Sequence, residues 1–121
     1  MGQSTDHSSI AGELLREARS LRVDKDYYET SNEDRTAALS LLTRALALSQ
    51  TSGDLATEAK CLQDISRIHD MNGDYATATL WAKQTLTAFQ ELGDLQEEAW
   101  AFQKLANLHY VVSDYGNAIE Y

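Results

Sequence analysis

The side chains in this sequence that could carry out chemistry are one cysteine, three histidines and nineteen carboxylates. A thiol becomes a nucleophile when a basic group stabilises its thiolate, and no basic residue is placed to do this for Cys61. His69 and His109 stand forty residues apart, whereas two metal ligands on one helix face are four residues apart. On adjacent helices they would lie about 8–10 Å from each other, too far to share a metal ion. We therefore interpret both as packed core residues.

The remaining chemical signals are equally sparse. The carboxylates are spread over helix ends and polar faces instead of forming a pair for acid–base catalysis. No glycine-rich phosphate loop is present. A lone cysteine cannot form an intrachain disulfide and fits a reducing compartment. We expect a cytoplasmic protein that is not an enzyme and uses no cofactor and no metal.

The feature that organises the chain is an internal repeat with a period of forty residues. The segment 73–78, Gly-Asp-Tyr-Ala-Thr-Ala, returns at 113–118 with its Asp, Tyr and Ala preserved. Gly53-Asp54-Leu55 returns as Gly93-Asp94-Leu95. Laying 33–81 over 73–121 gives 14 identities in 49 positions, against about three for unrelated sequences of ordinary composition. A fixed period of this size predicts stacked structural repeats.

The repeated Gly-Asp pairs predict where helices end and begin. Glycine adopts the left-handed conformation that terminates a helix, and aspartate caps the N-terminus of the next one. The chain has no proline, and apolar residues recur at helical spacing. Asp94 followed by Glu97 also has the spacing of a capping box. We predict helices over about 8–23, 34–51, 54–71, 74–92 and 94–112, and a sixth that starts at Asp114 and is cut off at Tyr121.

The same spacing predicts which side chains face inward. In the first two helices they are Ile10, Leu14, Leu15, Ala18, Leu21, Ala38, Leu39, Leu42, Ala45 and Leu46. In the third and fourth they are Ala59, Leu62, Ile65, Ser66, His69, Ala78, Ala82, Leu86 and Phe89. In the fifth they are Ala99, Phe102, Leu105, Ala106 and His109. The segment 24–32 breaks the pattern, and we predict a loop whose Tyr27 and Tyr28 either pack back on the helices or mark a contact.

Composition limits the class of partner. The formal net charge is −9, which disfavours binding to nucleic acid or to an anionic membrane surface because both require a basic patch. No apolar run is long enough for a membrane span, and the polar residues 1–9 lack the features of a secretory signal. We expect a flexible N-terminus over 1–9, a helical domain over 10–121, and a protein partner that is basic or neutral.

At this point the residues resemble the tetratricopeptide repeat family. Phe102-x2-Leu105-Ala106-x2-His109, followed by Asp114-Tyr115 and Ala118, follows its pattern, and Leu62-x2-Ile65-Ser66-x2-His69 follows it with smaller residues. The family's final proline is absent and the period is 40 instead of 34. Together with Leu92-Gly93-Asp94, this looks like the longer-helix subclass of kinesin light chains, G-protein-regulating spindle adaptors and the sensor arrays of some signalling ATPases.

The resemblance implies an all-α superhelical solenoid of antiparallel helix hairpins. It implies about three repeats, over 10–52, 53–92 and 93–121, with the last one truncated. Small residues at Ala78, Ala106 and Ala118 would let helices approach closely. The first helix of each pair would line a concave groove that binds a peptide or helix. Carried over by motif, the groove-facing residues are Lys60, Gln63, Arg67, Asp70, Trp100, Gln103, Asn107 and Tyr110.

The function that this implies is a protein-interaction scaffold or adaptor in signalling. Trp100 and Tyr110 would be interface anchors, although Trp100 could instead pack against the neighbouring hairpin. Lys104 and Asn107 echo the residues with which some family members clamp a chaperone carboxylate, but Gln63 and Arg67 do not supply the rest of the clamp. The alternative is a sensor or regulatory segment of a larger signalling enzyme or ATPase. A further possibility is self-association through Ile119 and Tyr121 at the open C-terminal end.

Overall fold

The computed structural model describes residues 7–23 and 32–120, with side chains for 33–111 and for most of the first helix. The described residues are all helical apart from three tight turns, which confirms the all-α prediction. The five helices are α1 (His7–Val23), α2 (Asn32–Ser52), α3 (Leu55–Met71), α4 (Tyr75–Leu92) and α5 (Leu95–Glu120).

The three turns are built identically, and they confirm the role predicted for the Gly-Asp pairs. Gly53, Gly73 and Gly93 all have positive φ, at 73°, 80° and 73°. The backbone N–H of the aspartate that follows each glycine donates to the carbonyl five residues earlier, for example from Asp74 to His69 at 2.9 Å. This is the Schellman arrangement that closes a helix.

The same aspartates then open the next helix. The carboxylate of Asp54 accepts from the Thr57 backbone N–H at 3.1 Å, and the carboxylate of Asp94 accepts from the Glu97 backbone N–H at 3.1 Å. The second half of the capping box predicted at Asp94 is not formed, because the Asp94 backbone N–H donates to Phe89. One Gly-Asp pair therefore both terminates and starts a helix, and reverses the chain in two or three residues.

The prediction of a sixth helix starting at Asp114 is wrong. The helix α5 continues without a break through Ser113 to Glu120, over 26 residues, which makes it about 39 Å long. At each real turn a glycine occupies the left-handed position, whereas the repeat places Ser113 there. A residue with a Cβ pays roughly 1–2 kcal/mol to adopt that conformation, so the helix continues instead.

Consecutive helices pack against one another, and α1 also contacts α3. The main core joins side chains from α1 to α4, and a smaller cluster joins α4 to α5. The inward faces predicted for α2, α3 and α4 are confirmed in the main. Their buried members include Leu42, Leu62, Ile65 and Phe89, while His69 and Leu86 are half-buried. In α1, Leu14, Leu15 and Ala18 are buried as predicted, but Ile10 is exposed.

The inward face predicted for α5 is wrong. The helix buries Ala101 and Leu108, and Leu108 packs against α4 together with the half-buried Leu105. Four of the five predicted side chains are exposed instead: Ala99, Phe102, Ala106 and His109. Their face would have packed against the predicted sixth helix, which the described part of the chain does not contain. The close helix approach predicted at Ala106 is therefore not made, and His109 is not a core residue.

Several predictions concern residues outside the described part. These are the polar terminus up to Asp6, the loop over 24–31 with Tyr27 and Tyr28, and the side chains of Ala118, Ile119 and Tyr121. The helix α1 begins at His7, close to its predicted start at about residue 8, so residues 7–9 of the predicted flexible terminus are helical, and Asn32 opens α2. Among the described residues, no helix combines the length and the apolar character needed to cross a membrane.

Candidate functional site

The eight residues predicted to line a groove come from two helices. Four lie on α3 and four on α5, in both cases following a Gly-Asp turn that fixes where the helix starts. Lys60, Gln103, Asn107 and Tyr110 are exposed, whereas Arg67, Asp70 and Trp100 are half-buried. Gln63 is only 2% exposed. The eight therefore differ in what they offer to a partner, and four of them contact the facing helix.

In the described part of the chain, side-chain contacts join α3 to α5 at three levels. Gln63 Nε2 donates to Glu97 Oε1 at 3.3 Å. The Arg67 guanidinium carbon lies 4.8 Å from the centroid of the Trp100 ring, which is a cation–π contact. The third contact is an ion pair between the Lys104 ammonium and the Asp70 carboxylate.

The order of these contacts shows how the two helices run. The α3 partners advance from 63 to 67 to 70, and the α5 partners advance from 97 to 100 to 104. Because both sets advance together, α3 and α5 run in the same direction side by side. The half-buried residues Arg67, Asp70 and Trp100 therefore meet where the surfaces of the two parallel helices adjoin, joined by the paired side chains.

Part of this surface is a shallow cleft of about 240 Å³ on α5. Its lining residues are Trp100, Gln103, Lys104 and Asn107. Three of the four were predicted to line the groove. Lys104 was predicted only to resemble a residue of the carboxylate clamp of some family members. The Gln103 and Asn107 amides can each donate and accept hydrogen bonds, as a peptide backbone does. Trp100 adds a flat apolar wall, which Arg67 holds in place from α3.

The charges beside the cleft are already paired. Lys104 contacts Asp70, and Arg67 Nη1 lies 3.6 Å from Asp64 Oδ1. The cleft is thus polar without a strong net charge of either sign. A free carboxylate of a ligand would have to compete with Asp70 for the Lys104 ammonium.

On its other side α3 is tied to α1 through a buried carboxylate that the sequence did not indicate. Arg19 Nε donates to Asp64 Oδ2 at 2.7 Å and Arg19 Nη2 to Asp64 Oδ1 at 3.3 Å, a two-point contact. Asp64 is 1% exposed, and every residue from Cys61 to Ser66 is buried. Helical periodicity predicts one buried stripe, so it does not anticipate a helix covered on several sides.

The cysteine and the histidines of α3 and α5 lie in environments that do not favour catalysis or metal binding. Cys61 is buried, and burial, followed by the nearby Asp64 carboxylate, raises the pKa of its thiol from 9.0 to about 12. The thiol is therefore fully protonated at neutral pH, the opposite of an activated nucleophile. His69 Nδ1 lies 3.9 Å from Asp74 Oδ2, and His109 is exposed on α5. Within 7–23 and 32–120, no cluster of three or more His, Cys, Asp or Glu could hold a metal ion.

Comparison of the sequence with models of protein families, and with curated proteins, finds no match. The resemblance to tetratricopeptide repeats therefore rests on the internal repeat, the Gly-Asp turns and the motif residues of this chain.

Proposed function

We propose that this protein is a binding scaffold of the tetratricopeptide type, in which the surface formed by α3 and α5 holds a segment of another protein. The observation that carries the proposal is the cleft at Trp100, Gln103, Lys104 and Asn107. In this proposal the helix pairs stack as a solenoid, and the cleft is one stretch of its groove.

The chemistry of the cleft favours an extended peptide as the ligand. Gln103 and Asn107 are four residues apart on one helix face, and both are exposed. Their amides match the alternating donors and acceptors of a peptide backbone, which any sequence presents. Trp100 and Tyr110, the latter 69% exposed, offer aromatic surface to side chains of the peptide.

The paired charges favour a ligand segment that is neutral or basic. Lys104 is paired with Asp70 and Arg67 with Asp64, so no unpaired cation in the cleft calls for an acidic ligand. The net charge of −9 adds a long-range attraction for basic partners. Gln63 is buried beneath this surface, and its contribution would be to fix Glu97 and thereby the spacing of the helices.

The test is a selection of random peptides on the immobilised protein. Peptides enriched on the wild type are compared for binding to a Gln103→Ala/Asn107→Ala double variant and to a Leu80→Ala variant. Leu80 is 61% exposed on α4 and serves as the matched surface control. We expect the double variant to lose at least tenfold in affinity and the control to bind as the wild type does.

Fluorescence gives a direct reading at the same surface. A Trp81→Phe variant leaves Trp100 as the single tryptophan, so an enriched peptide should change its emission on binding. Peptides that bind the double variant and the wild type equally, without altering Trp100 emission, would place binding elsewhere and overturn the proposal.

A further inference from the structure

A groove of about 230 Å³ lies between α3 and α4, near the end where α3 begins and α4 finishes. Its floor is apolar, because Leu62 and Ala88 are at most 4% exposed and Leu55 is half-buried. Glu58 of α3 and Glu91 of α4 also line it, so each helix contributes one carboxylate. The groove therefore combines an apolar floor with negative charge, and this combination limits what it can bind.

The groove is separate from the cleft on α5. On α4, Ala82 belongs to the cluster that packs against α5, and Glu91 follows it by nine residues. On α3, Arg67 contacts α5, and Glu58 precedes it by nine residues. Nine residues are about two and a half helical turns, so both glutamates lie on the side of their helix away from α5. A helix that packs on the α5 side of this pair therefore does not cover the groove.

The two carboxylates of the groove are not neutralised by the described part of the chain. No described basic side chain forms an ion pair with Glu58 or Glu91, and none of the residues that line the groove is basic. Asp64 and Asp70, by contrast, are each paired with an arginine or a lysine. Apolar walls strengthen the field of nearby charges because they exclude the water that would screen it. The groove is therefore a local source of negative potential.

A lysine or arginine side chain has the two properties that match this groove. Its aliphatic stem can lie on the floor formed by Leu55, Leu62 and Ala88, while its cationic head stays in contact with water and carboxylates. The head would then pair with Glu58 and Glu91. The volume of about 230 Å³ is below the roughly 300–1,000 Å³ of pockets for drug-sized ligands, so it suits a single side chain.

We propose that the groove between α3 and α4 is a second binding site, which takes a lysine or arginine side chain of a partner protein. The net charge of −9 draws basic segments to the whole chain. The groove gives that attraction a position, because it adds apolar contact to the two carboxylates. This site goes beyond the proposed peptide cleft and does not depend on it.

Two blocked tripeptides test the charge requirement. The probe is acetyl-Leu-Lys-Leu-amide, and its control has methionine, which is unbranched and uncharged, in place of lysine. Titrations are followed by NMR through the methyl groups of Leu55, Leu62 and Ala88, which report on the groove alone. The lysine peptide should shift these signals to saturation, with at least tenfold higher affinity than the methionine peptide. Signals that do not move, or that move equally with both peptides, would overturn the proposal.

A pair of double variants separates the groove from general attraction to an acidic chain. Glu58→Gln/Glu91→Gln keeps the size of both side chains and should bind the lysine peptide at least tenfold more weakly. Glu13→Gln/Glu17→Gln changes the net charge by the same amount on the exposed side of α1 and should bind as the wild type does. Equal weakening in both would mean unspecific attraction and would refute the site. Circular dichroism checks that both variants keep the helix content of the wild type.

The position of the cation is tested by carbodiimide coupling, which joins an ammonium group to a carboxylate that it contacts. Among the nineteen acidic side chains of the sequence, Glu58 and Glu91 should carry most of the coupled lysine peptide. An even distribution would contradict the proposal, and so would the same methyl shifts with calcium chloride alone, which would assign the groove to a metal ion. None of these measurements reads the cleft on α5, so their failure would leave the proposed peptide binding there untouched.

Discussion

The helices α3 and α5 are two copies of one repeated sequence with opposite surroundings. Leu55, Ala59 and His69 return unchanged as Leu95, Ala99 and His109. In α3 this face lies beneath α4, whereas in α5 it is exposed. The comparison shows that an apolar stripe specifies what a helix can pack against, while burial depends on whether a partner element is present.

The comparison extends to the polar residues. Gln63 and Gln103 occupy the same place in the repeat, yet Gln63 is buried against Glu97 and Gln103 is exposed in the cleft. The first therefore spaces two helices, while the second is available to a ligand. Identity within a repeat does not transfer a functional role from one copy to the next.

The largest difference in unfolding free energy is expected between two single variants that truncate the same repeat position, one in α3 and one in α5. Leu62→Ala removes a side chain that is 3% exposed and should cost about 2–5 kcal/mol of unfolding free energy. Phe102→Ala, forty residues on, should cost less than about 1 kcal/mol because the ring is half in solvent. Urea denaturation of both variants at low concentration measures the difference. Equal losses would show that the α5 face is covered in solution.

The next effect concerns why α3 ends where α5 continues. Gly73→Ala forces a Cβ into a backbone with φ of 80° and should destabilise by about 1–2 kcal/mol, although open space surrounds the site. Gly12 lies inside α1 with open space around it, so Gly12→Ala should stabilise by about 0.5–1 kcal/mol. Thermal or urea denaturation of the pair should show opposite signs. A neutral Gly73→Ala would mean that the left-handed glycine does not terminate α3.

A smaller effect tests the link between the two helices. Arg67→Ala and Trp100→Leu, alone and together, form a double-mutant cycle whose coupling energy should be about 0.5–1 kcal/mol for a partly exposed cation–π contact. The control cycle combines Arg44→Ala with Trp100→Leu. Because Arg44 is exposed on α2, we expect the two effects to be additive. A coupling energy no larger than that of the control cycle would show that the contact does not stabilise the site.

The smallest perturbation is a single added cysteine, which allows the alkylation rates of two thiols to be compared. In a Gln103→Cys variant, the introduced thiol on exposed α5 should react rapidly with an alkylating reagent at neutral pH. Cys61, buried on α3, should react only on unfolding, because its pKa is raised to about 12 and reagents cannot reach it. Mass spectrometry counts one fast addition in the folded state and two in denaturant. Two fast additions would contradict the protected environment of α3.

The same raised pKa has a consequence for stability. The folded state holds the Cys61 proton more tightly than the unfolded state does. The contribution of this proton to the unfolding free energy is therefore complete below pH 9.0 and is lost as the pH rises towards 12. The wild type should therefore lose more unfolding free energy than Cys61→Ala between pH 9 and pH 10. Parallel pH profiles of the two proteins would contradict the shift.

Much of the fold could be predicted because its determinants are local. The Gly-Asp pairs at 53, 73 and 93 contain both the left-handed residue and the cap, so the three turns follow from six residues. The prediction failed at 113, where the repeat retains the aspartate but not the glycine. The aspartate alone does not break a helix, since a cap stabilises a start that some other residue must first allow.

Less of the candidate site could be predicted. Trp100, Gln103 and Asn107 were placed on one face from their spacing, and they do line one cleft. The partners of Arg67 and Asp70 were not anticipated, because Trp100 and Lys104 lie more than thirty residues away in the chain. Contacts of that range depend on how helices are placed side by side, which periodicity within one helix does not describe.

The sequence by itself determined the helical class, the turns and the apolar stripes of this protein, since each depends on residues within a few positions of one another. The tertiary structure alone decided that Asp64 is buried against Arg19 and that the side of α5 with Ala99, Phe102 and Ala106 is exposed. The physical reason is that burial and pairing are properties of two surfaces, and the sequence of one helix specifies only one of them.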